Sequence, residues 1–599
     1  MSILALLLAA ASSWALVQPG PGRQLMVVGP SEFRQAEALV PKGGEDLAEA
    51  YGGKAVPCRE DYGLLAASPV PEGMTHLWVR FRGPGFQVRQ TKPEIRDLGW
   101  RWVHRVNLEW VYAGEMPPEA TQIAIKGPPG AAEGDALDCL LWTGAWDQAP
   151  VEVGSDTRAV APDWPNPAGA IPKYLASANV NAPVRTFAKA SDAWLGAFRR
   201  LGIKFVRFQG TGPGWDYRDP STWTEASLAD LKVAVRRARS AGVEKIMFGI
   251  HGLNIPRGED GRLIEAEFDG YAAACARLVS AFGAEELFIE YWEPFNELDH
   301  PSFIRAIEKH GQNWKTVVRL YGACARAMKQ ANPRIKVGGP ACCWPSEWAA
   351  RELVELADGP VDFISWHQYA TGSATTGTEK VLSVALPGGS MAQGVDRMAG
   401  AAGQRPELMI TEFHVNYSAW KPVDSRVAQV DSAVFAASAL AWLPRTRVSV
   451  SMIHDVLSAV YGLIGPAGAD RLSHGAGLLP MGIDRDRIHL RPVAWVYRWF
   501  NELVRGSRIP IKGGVAEGEP GVPAVAWSAD DTAGIMLVNP TDSPVDVAVA
   551  WDPQRPSAGG MQWRSVGPAG PAEGRVIQQA GVVRLLLPAK TVVFCASEQ

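Results

Sequence analysis

Tyr291-Trp292-Glu293-Pro294-Phe295-Asn296-Glu297 and Ile410-Thr411-Glu412-Phe413 decide how this chain reads. Each places a glutamate just after a short apolar run, 287–289 in the first case and 408–410 in the second. Runs of that length suit buried strands, and each is followed by a helical pattern. In a chain that repeats strand and helix, carboxylates at the carboxyl ends of two strands face one another across a barrel mouth. That is the arrangement for cleaving a glycosidic bond: one carboxyl group protonates the leaving oxygen and the other attacks the anomeric carbon. The bland reading is a pair of surface or ion-paired glutamates. The residues flanking both weigh against it.

Outward from these two stretches, residues 168–508 alternate buried strands with amphipathic helices. Strands are expected near 170–174, 204–207, 245–251, 287–290, 336–339, 361–367, 408–412 and 448–452. Helical patterns between them include 228–241, 271–282, 314–331 and 427–443. Eight strand–helix units in this length predict an α/β fold, a (β/α)8 TIM barrel with insertions. A doubly wound open sheet is the runner-up, but no Gly-rich phosphate loop follows the first strand. Active groups of a barrel lie at the carboxyl ends of its strands. The residues expected there are Arg207, His251, Asn296, Glu297, His367, Tyr369 and Glu412. Each has an ordinary alternative: Arg207 as a structural ion pair, His251 as a satisfied core histidine, His367 and Tyr369 as loop residues. Their convergence on one face favours a site.

Residues 291–299 are similar to the strand-four motif of glycoside hydrolase clan A, in which Asn-Glu carries the acid/base. Residues 410–416 are similar to the clan's strand-seven nucleophile motif, and 337–341 and 362–369 resemble strands five and six of family 39. On these residues the chain resembles clan A, and family 39 most closely. The resemblance implies a retaining glycosidase in which Glu297 is the acid/base and Glu412 the nucleophile, with carboxyl groups about 5–5.5 Å apart. Two departures stand out: Leu298 replaces the usual proline after the acid/base, and strand eight offers Met452-Ile453-His454-Asp455 where a tryptophan is usual. In this scheme Glu297 needs a raised pKa, while Arg207 and the Tyr369 hydroxyl keep Glu412 ionised. Asn296 donates to the sugar 2-hydroxyl, and His251 and His367 suit ring hydroxyls. Trp215, Trp344 and Trp366 either stack on sugar or fill the core. Glu293 is the rival acid, and Glu297 is preferred because an asparagine directly precedes it.

The flanks read as β structure. Residues 24–157 carry strand patterns at 76–81, 100–104, 107–112, 122–126 and 137–142, which predict an N-terminal β-sandwich. Residues 135–143 resemble the last strand of galactose-binding-like jelly rolls, which implies a carbohydrate-binding appendage; a bracing sandwich is the alternative. A proline-rich stretch, 161–167, reads as a linker. Residues 509–599 return to β patterns and predict a C-terminal β-sandwich packed on the barrel. The first 15 residues are apolar, too short to span a bilayer, and end in Ser13-Trp14-Ala15, a small-x-small cleavage site. They predict a secretory signal, a secreted or periplasmic protein, and no membrane association after its removal.

Composition excludes other classes. A net charge of -4 leaves no basic footprint for nucleic acid. The 23 tryptophans suit a sugar-binding protein, because an indole face stacks on a pyranose. A metal-dependent barrel hydrolase typically shows His-x-His on an early strand, and none occurs here, so no metal or other cofactor is expected. The expected partner is an oligo- or polysaccharide; the alternative function is a non-catalytic carbohydrate-binding protein on the same scaffold. The seven cysteines show no metal-ligand spacing. Cys58 and Cys139 fall in one predicted domain and are candidates for a bridge, and Cys275 and Cys324 read as small core residues.

Overall fold

The computed structural model describes residues 23–29, 32–35, 45–46, 54–58, 64–72, 74–127, 136–143, 150–154, 158–181, 183–210, 215–222, 224–250, 255–419, 424–456, 461–466, 488–512, 522–529, 532–551, 561–568, 570–576 and 582–597. The signal-like residues 1–15 and His251 lie outside the described residues. Eight parallel strands close into a barrel in chain order: β1 (Ala176–Asn181), β2 (Phe205–Gln209), β3 (Lys245–Gly249), β4 (Tyr291–Glu293), β5 (Lys336–Cys342), β6 (Phe363–Thr371), β7 (Glu407–Asn416) and β8 (Val448–Ile453). β1 pairs with β8, Ala176 opposite Ser451, to complete the ring. The helices Asp192–Arg200, Glu225–Ser240, Phe268–Ala281, Trp314–Ala331, Glu347–Leu356, Ser390–Ala402, Val430–Trp442 and Pro492–Leu503 follow the strands in turn.

Two expected strands shift. The first strand begins at Ala176, not near 170, and the fourth is Tyr291–Glu293, because Glu285–Leu287 forms a single 3-10 turn. The shift sets which side chains enter the barrel, since alternate residues of a strand share a face. Phe205, Met247, Phe363, Met409, Val450 and Met452, with Tyr174 and Tyr291 against them, form an apolar cluster of their own inside the ring. Two residues further along β2 and β4 the same face carries Arg207 and Glu293, both fully buried. The barrel interior is therefore apolar at its amino end and charged at its carboxyl end. Gly338 makes the tight β5–β6 contact possible, because a Cβ there would stand 2.3 Å from the Phe363 carbonyl oxygen.

β7 departs from simple alternation. Its register with β6 runs Trp366 opposite Ile410 and then His367 opposite Glu412, so Thr411 is an extra residue. Met409 faces the barrel interior, while Ile410 and Phe413 both join the outer core under the helices. A regular strand would send residue 412 outward with Ile410. The bulge turns Glu412 inward instead, the kind of re-aiming that bulges perform beside functional sites.

The chain divides into two compact units, one of Met1–Ala159 with Asp546–Pro556 and Ile577–Leu585, the other of the remainder. In the first, Pro150–Gly154, Arg23–Gly29 and Glu32–Gln35 form an antiparallel three-stranded sheet. A seven-stranded sheet is built around His76–Lys92, which pairs with Arg96–Glu115, Gln122–Lys126 and Ala136–Thr143. The separate runs expected at 100–104 and 107–112 are parts of one 20-residue strand. Leu77, Val79, Phe81, Phe86, Val88, Ile123, Ile125 and Leu140 make its core. Register argues against the Cys58–Cys139 bridge. Pro57 lies opposite Ala136 in an antiparallel pair, so the level of Cys58 on that strand is four residues from Cys139, roughly 13 Å along it and beyond disulfide reach.

In the second unit a six-stranded sheet runs in the order Ser507–Ile509, Ala524–Ala529, Thr532–Asn539, Thr591–Ser597, Met561–Gly567, Gly570–Val576. Its buried Val525, Trp527, Met536, Val538, Val592 and Phe594 belong to the same core as the barrel's helices. The helix Val430–Trp442 is buried from Ser432 to Trp442 on every face, as its run of Ala, Val, Phe, Leu and Trp requires. Trp499 and Phe594 meet edge to face at 5.9 Å across this contact. Among the described residues no helix is long and apolar enough to cross a membrane.

Candidate active site

Arg207 stands at the centre of the barrel's charged end. Its Nε donates to Glu293 Oε2 at 2.6 Å, its Nη1 to Glu412 Oε1 at 2.9 Å and its Nη2 to Asn296 Oδ1 at 2.7 Å. The guanidinium is fully buried, and a buried arginine needs such partners on each of its nitrogens. Gly249 on the adjacent strand leaves it room, for a Cβ there would lie 3.0 Å from Nη2. Because a guanidinium only donates, the Asn296 oxygen must face it, and the Asn296 NH2 is turned elsewhere. Glu293 is sealed from solvent and held by Arg207, so it is an anchor for the arginine and cannot serve as the acid.

Glu412 is 7% exposed at its side chain and receives two strong bonds, from Arg207 and from the Tyr369 hydroxyl at 2.7 Å. Burial pushes its pKa up, but the imidazole of His367, the Arg207 guanidinium and the Tyr369 hydroxyl outweigh burial and hold it well below the usual carboxylate range. His367 links the two candidate carboxylates. Its Nδ1 lies 2.6 Å from Glu297 Oε1 and its Nε2 3.6 Å from Glu412 Oε1. Burial lowers the pKa of His367, yet the Glu412 charge and the hydrogen bond with Glu297 leave it raised overall.

Glu297 is the more open of the pair, 37% exposed at its side chain. Its backbone lies in the left-handed region (φ 56°), as does that of Ala341 (φ 50°), and the Glu297 N–H donates to the Ala341 carbonyl at 3.0 Å. Two non-glycine residues in that region cost on the order of 1–3 kcal/mol each and mark a loop held for function. Asp299, buried, accepts from Cys343 N and Ser346 Oγ, and so ties the loop after β4 to the loop after β5.

Glu297, His367 and Glu412 each present one donor atom within 4.8 Å of the others. That spacing also suits metal ligands, but Arg207 already occupies Glu412 with a permanent positive charge, which opposes a second cation.

Of the residues expected at the site, Glu297, Glu412, Arg207, Asn296, His367 and Tyr369 converge. His367 is fully buried and is taken up by the two glutamates, so it does not face a sugar hydroxyl. Trp366 is fully buried and sits on the opposite face of β6 from His367, in the outer core. Trp215 is 4% exposed and joins the same core. Neither offers a face for stacking. Trp344, 41% exposed, does; it follows β5 and has His300 as a ring neighbour at 6.4 Å. Sequence reasoning does not reach Asn179 and Asn181, because β1 lies later than the apolar pattern at 170–174 suggests, nor His454 as a contact of Glu412 at 3.4 Å. The signal was there: Asn179 and Asn181 alternate along β1, and His454 continues the Val450, Met452 alternation.

Residues 269–458 match the model of Glycosyl hydrolases family 39. The matched stretch spans β4 to β8 and includes Glu297, His367, Tyr369, Glu412 and His454. A curated Beta-xylosidase from Geobacillus stearothermophilus is 30% identical over 165 residues, 26% of this chain, and the match spans only 32% of that protein. A solved GH39 Beta-xylosidase from Caulobacter crescentus shares 17% identity, covers 74% of this chain and all of its own, and has a TM-score of 0.50. A family 51 alpha-L-arabinofuranosidase from Bifidobacterium longum gives 16% identity, 75% and 100% coverage and a TM-score of 0.54. At these identities the solved structures show the fold alone, a TIM barrel.

Proposed function

We propose that this protein is a retaining glycoside hydrolase, with Glu412 as nucleophile and Glu297 as acid and base. The observation that carries the reading is the closeness of the two carboxylates. An oxygen of Glu297 and one of Glu412 lie within 4.8 Å, with a single imidazole between the two groups. A separation near 5 Å suits direct attack on the anomeric carbon, whereas inverting enzymes hold their carboxyl groups about 6.5–9.5 Å apart to admit a water. Arg207 and Tyr369 support an ionised Glu412. The transferable proton belongs to the Glu297–His367 pair, in which the Glu412 charge and the bond with Glu297 strengthen the imidazole's hold on it. Asn296, its oxygen held by Arg207, has an NH2 to offer a sugar hydroxyl.

The match to a Beta-xylosidase makes an aryl β-xyloside the first substrate to try. Trp344, exposed and a ring neighbour of His300, is the residue we assign to the leaving-group sugar of a longer substrate. The deciding experiment is Glu412→Ala with azide. Turnover should vanish in the variant and return with azide, giving a product of inverted configuration. A rescued product of retained configuration, or near-native activity without azide, overturns the assignment.

A further inference from the structure

His454 reaches Glu412 through Nδ1, 3.4 Å from Oε2, at the end of β8. The same Nδ1 lies 2.9 Å from Asn179 Nδ2, and Nε2 lies 3.0 Å from Asn181 Nδ2. Which atoms of these amides face the ring is decided by the hydrogen-bond network. For Asn179 the network contains a fixed donor, since the backbone N–H of Val180 lies 3.0 Å from Asn179 Oδ1. A backbone N–H cannot exchange roles, so the Asn179 oxygen stays with Val180. Its NH2 then faces His454 Nδ1 and, at 3.0 Å, Gln209 Oε1. A proton on His454 Nδ1 would point at that NH2. Nδ1 is therefore the acceptor, and the imidazole keeps its one hydrogen on Nε2. Asn181 can turn its oxygen to Nε2–H, because no other bond of its side chain fixes it among the described residues.

From this network we infer that Asn179 is a positioning residue that holds His454 as the neutral Nε2–H imidazole beside Glu412. The consequence for chemistry rests on Glu412 being the nucleophile. Glu412 already carries Arg207 on Oε1 and Tyr369 on Oε2. A second cation at Oε2 would draw more charge from the attacking carboxylate and weaken it as a nucleophile. Asn179 prevents that by occupying the nitrogen that would otherwise be protonated toward the carboxylate. The titratable groups facing or flanking His454 are Glu412 and His414 from β7, Tyr369 from β6, and Asp455 and Tyr461 beyond β8, with Arg491 near Asp455 and His414.

The test uses the full-length protein with isotope-labelled histidine, its His454 signals assigned through His454→Gln. In the wild type the Nδ1 of His454 should resonate as an unprotonated nitrogen and Nε2 as a protonated one. An imidazolium at pH 6.5, or hydrogen on Nδ1, overturns the inference without any variant. In Asn179→Asp the new carboxylate accepts from Nδ1, so both nitrogens should be protonated near neutrality. With an activated aryl glycoside, kcat of Asn179→Asp and Asn179→Ala should gain an ionisation absent from the wild type, falling about tenfold per pH unit on its acid side with KM little changed. A uniform loss at every pH would mean a merely structural role and would overturn it. Should the tautomer be as stated while the wild type cleaves no glycoside, the glycosidase reading fails and the lock on His454 stands.

Discussion

At the scale of single residues the site divides its carboxylates by environment. Glu293 is buried and paired with Arg207, Glu412 is buried and hydrogen-bonded as an anion, and Glu297 is half-open and paired with an imidazole. Only the last is placed to give and take a proton at the solvent side. Glu297→Ala should accordingly slow substrates with poor leaving groups by roughly 10²–10⁴-fold and activated aryl glycosides far less. Comparing kcat/KM across leaving groups checks this, and the pattern appearing in Glu293→Ala instead would name the wrong acid.

Asp455 gives a second residue-scale expectation. Burial raises its pKa from 3.8 to about 6. A carboxyl whose folded pKa is raised binds more protons folded than unfolded between those values, so stability falls as pH rises through that window. The shift of about 2 units corresponds to roughly 3 kcal/mol. Asp455→Asn should therefore gain stability relative to wild type between pH 4 and pH 7, by about that amount, in denaturant titrations at the two pH values. An equal difference at both would show that the carboxyl is not strained.

At the scale of elements, two local features place the reacting groups. One is the extra residue of β7, which turns Glu412 from the helix side to the barrel side. The other is Gly249 of β3, whose missing side chain leaves space for the Arg207 guanidinium. Arg207 is held by three partners and cannot move aside freely. Gly249→Ala should displace it by a few tenths of an ångström and reduce kcat by roughly tenfold, with an unchanged circular-dichroism spectrum. A variant with full activity would show that the arginine's position is not critical.

At the scale of the whole molecule, the barrel and the C-terminal six-stranded sheet share one core through the helix Val430–Trp442. Trp527 is fully buried in it and lies over Gly534, where a Cβ would be 2.1 Å from the indole. Removing so large a buried side chain costs about 3–5 kcal/mol. Trp527→Ala should lower the melting temperature of the barrel as well as of the sheet, in one calorimetric transition. Two separated transitions, with the barrel's unmoved, would mean that the sheet folds on its own core.

The sequence by itself determined the strand–helix alternation, the closed barrel that follows from it, and the two glutamates at strand ends. Short apolar runs, helical periodicity and polar residues just past the runs are local signals, and they survive any tertiary arrangement. Arg207, Asn296, His367 and Tyr369 were legible for the same reason. What only the tertiary structure decided is which face each residue takes and whom it meets. Alternation along β7 would have sent Glu412 outward, and only the register against β6 reveals the bulge. Trp215 and Trp366 have the same chemistry as Trp344 but are closed over by helices, and burial is a property of the packed whole. Glu293 and Glu297 are four residues apart, alike in composition, and separated in role by one buried guanidinium from a strand 86 residues earlier. Asn179 meets His454 across 275 residues, through the pairing of the first strand with the last. No local pattern encodes that contact, because closure of the barrel creates it.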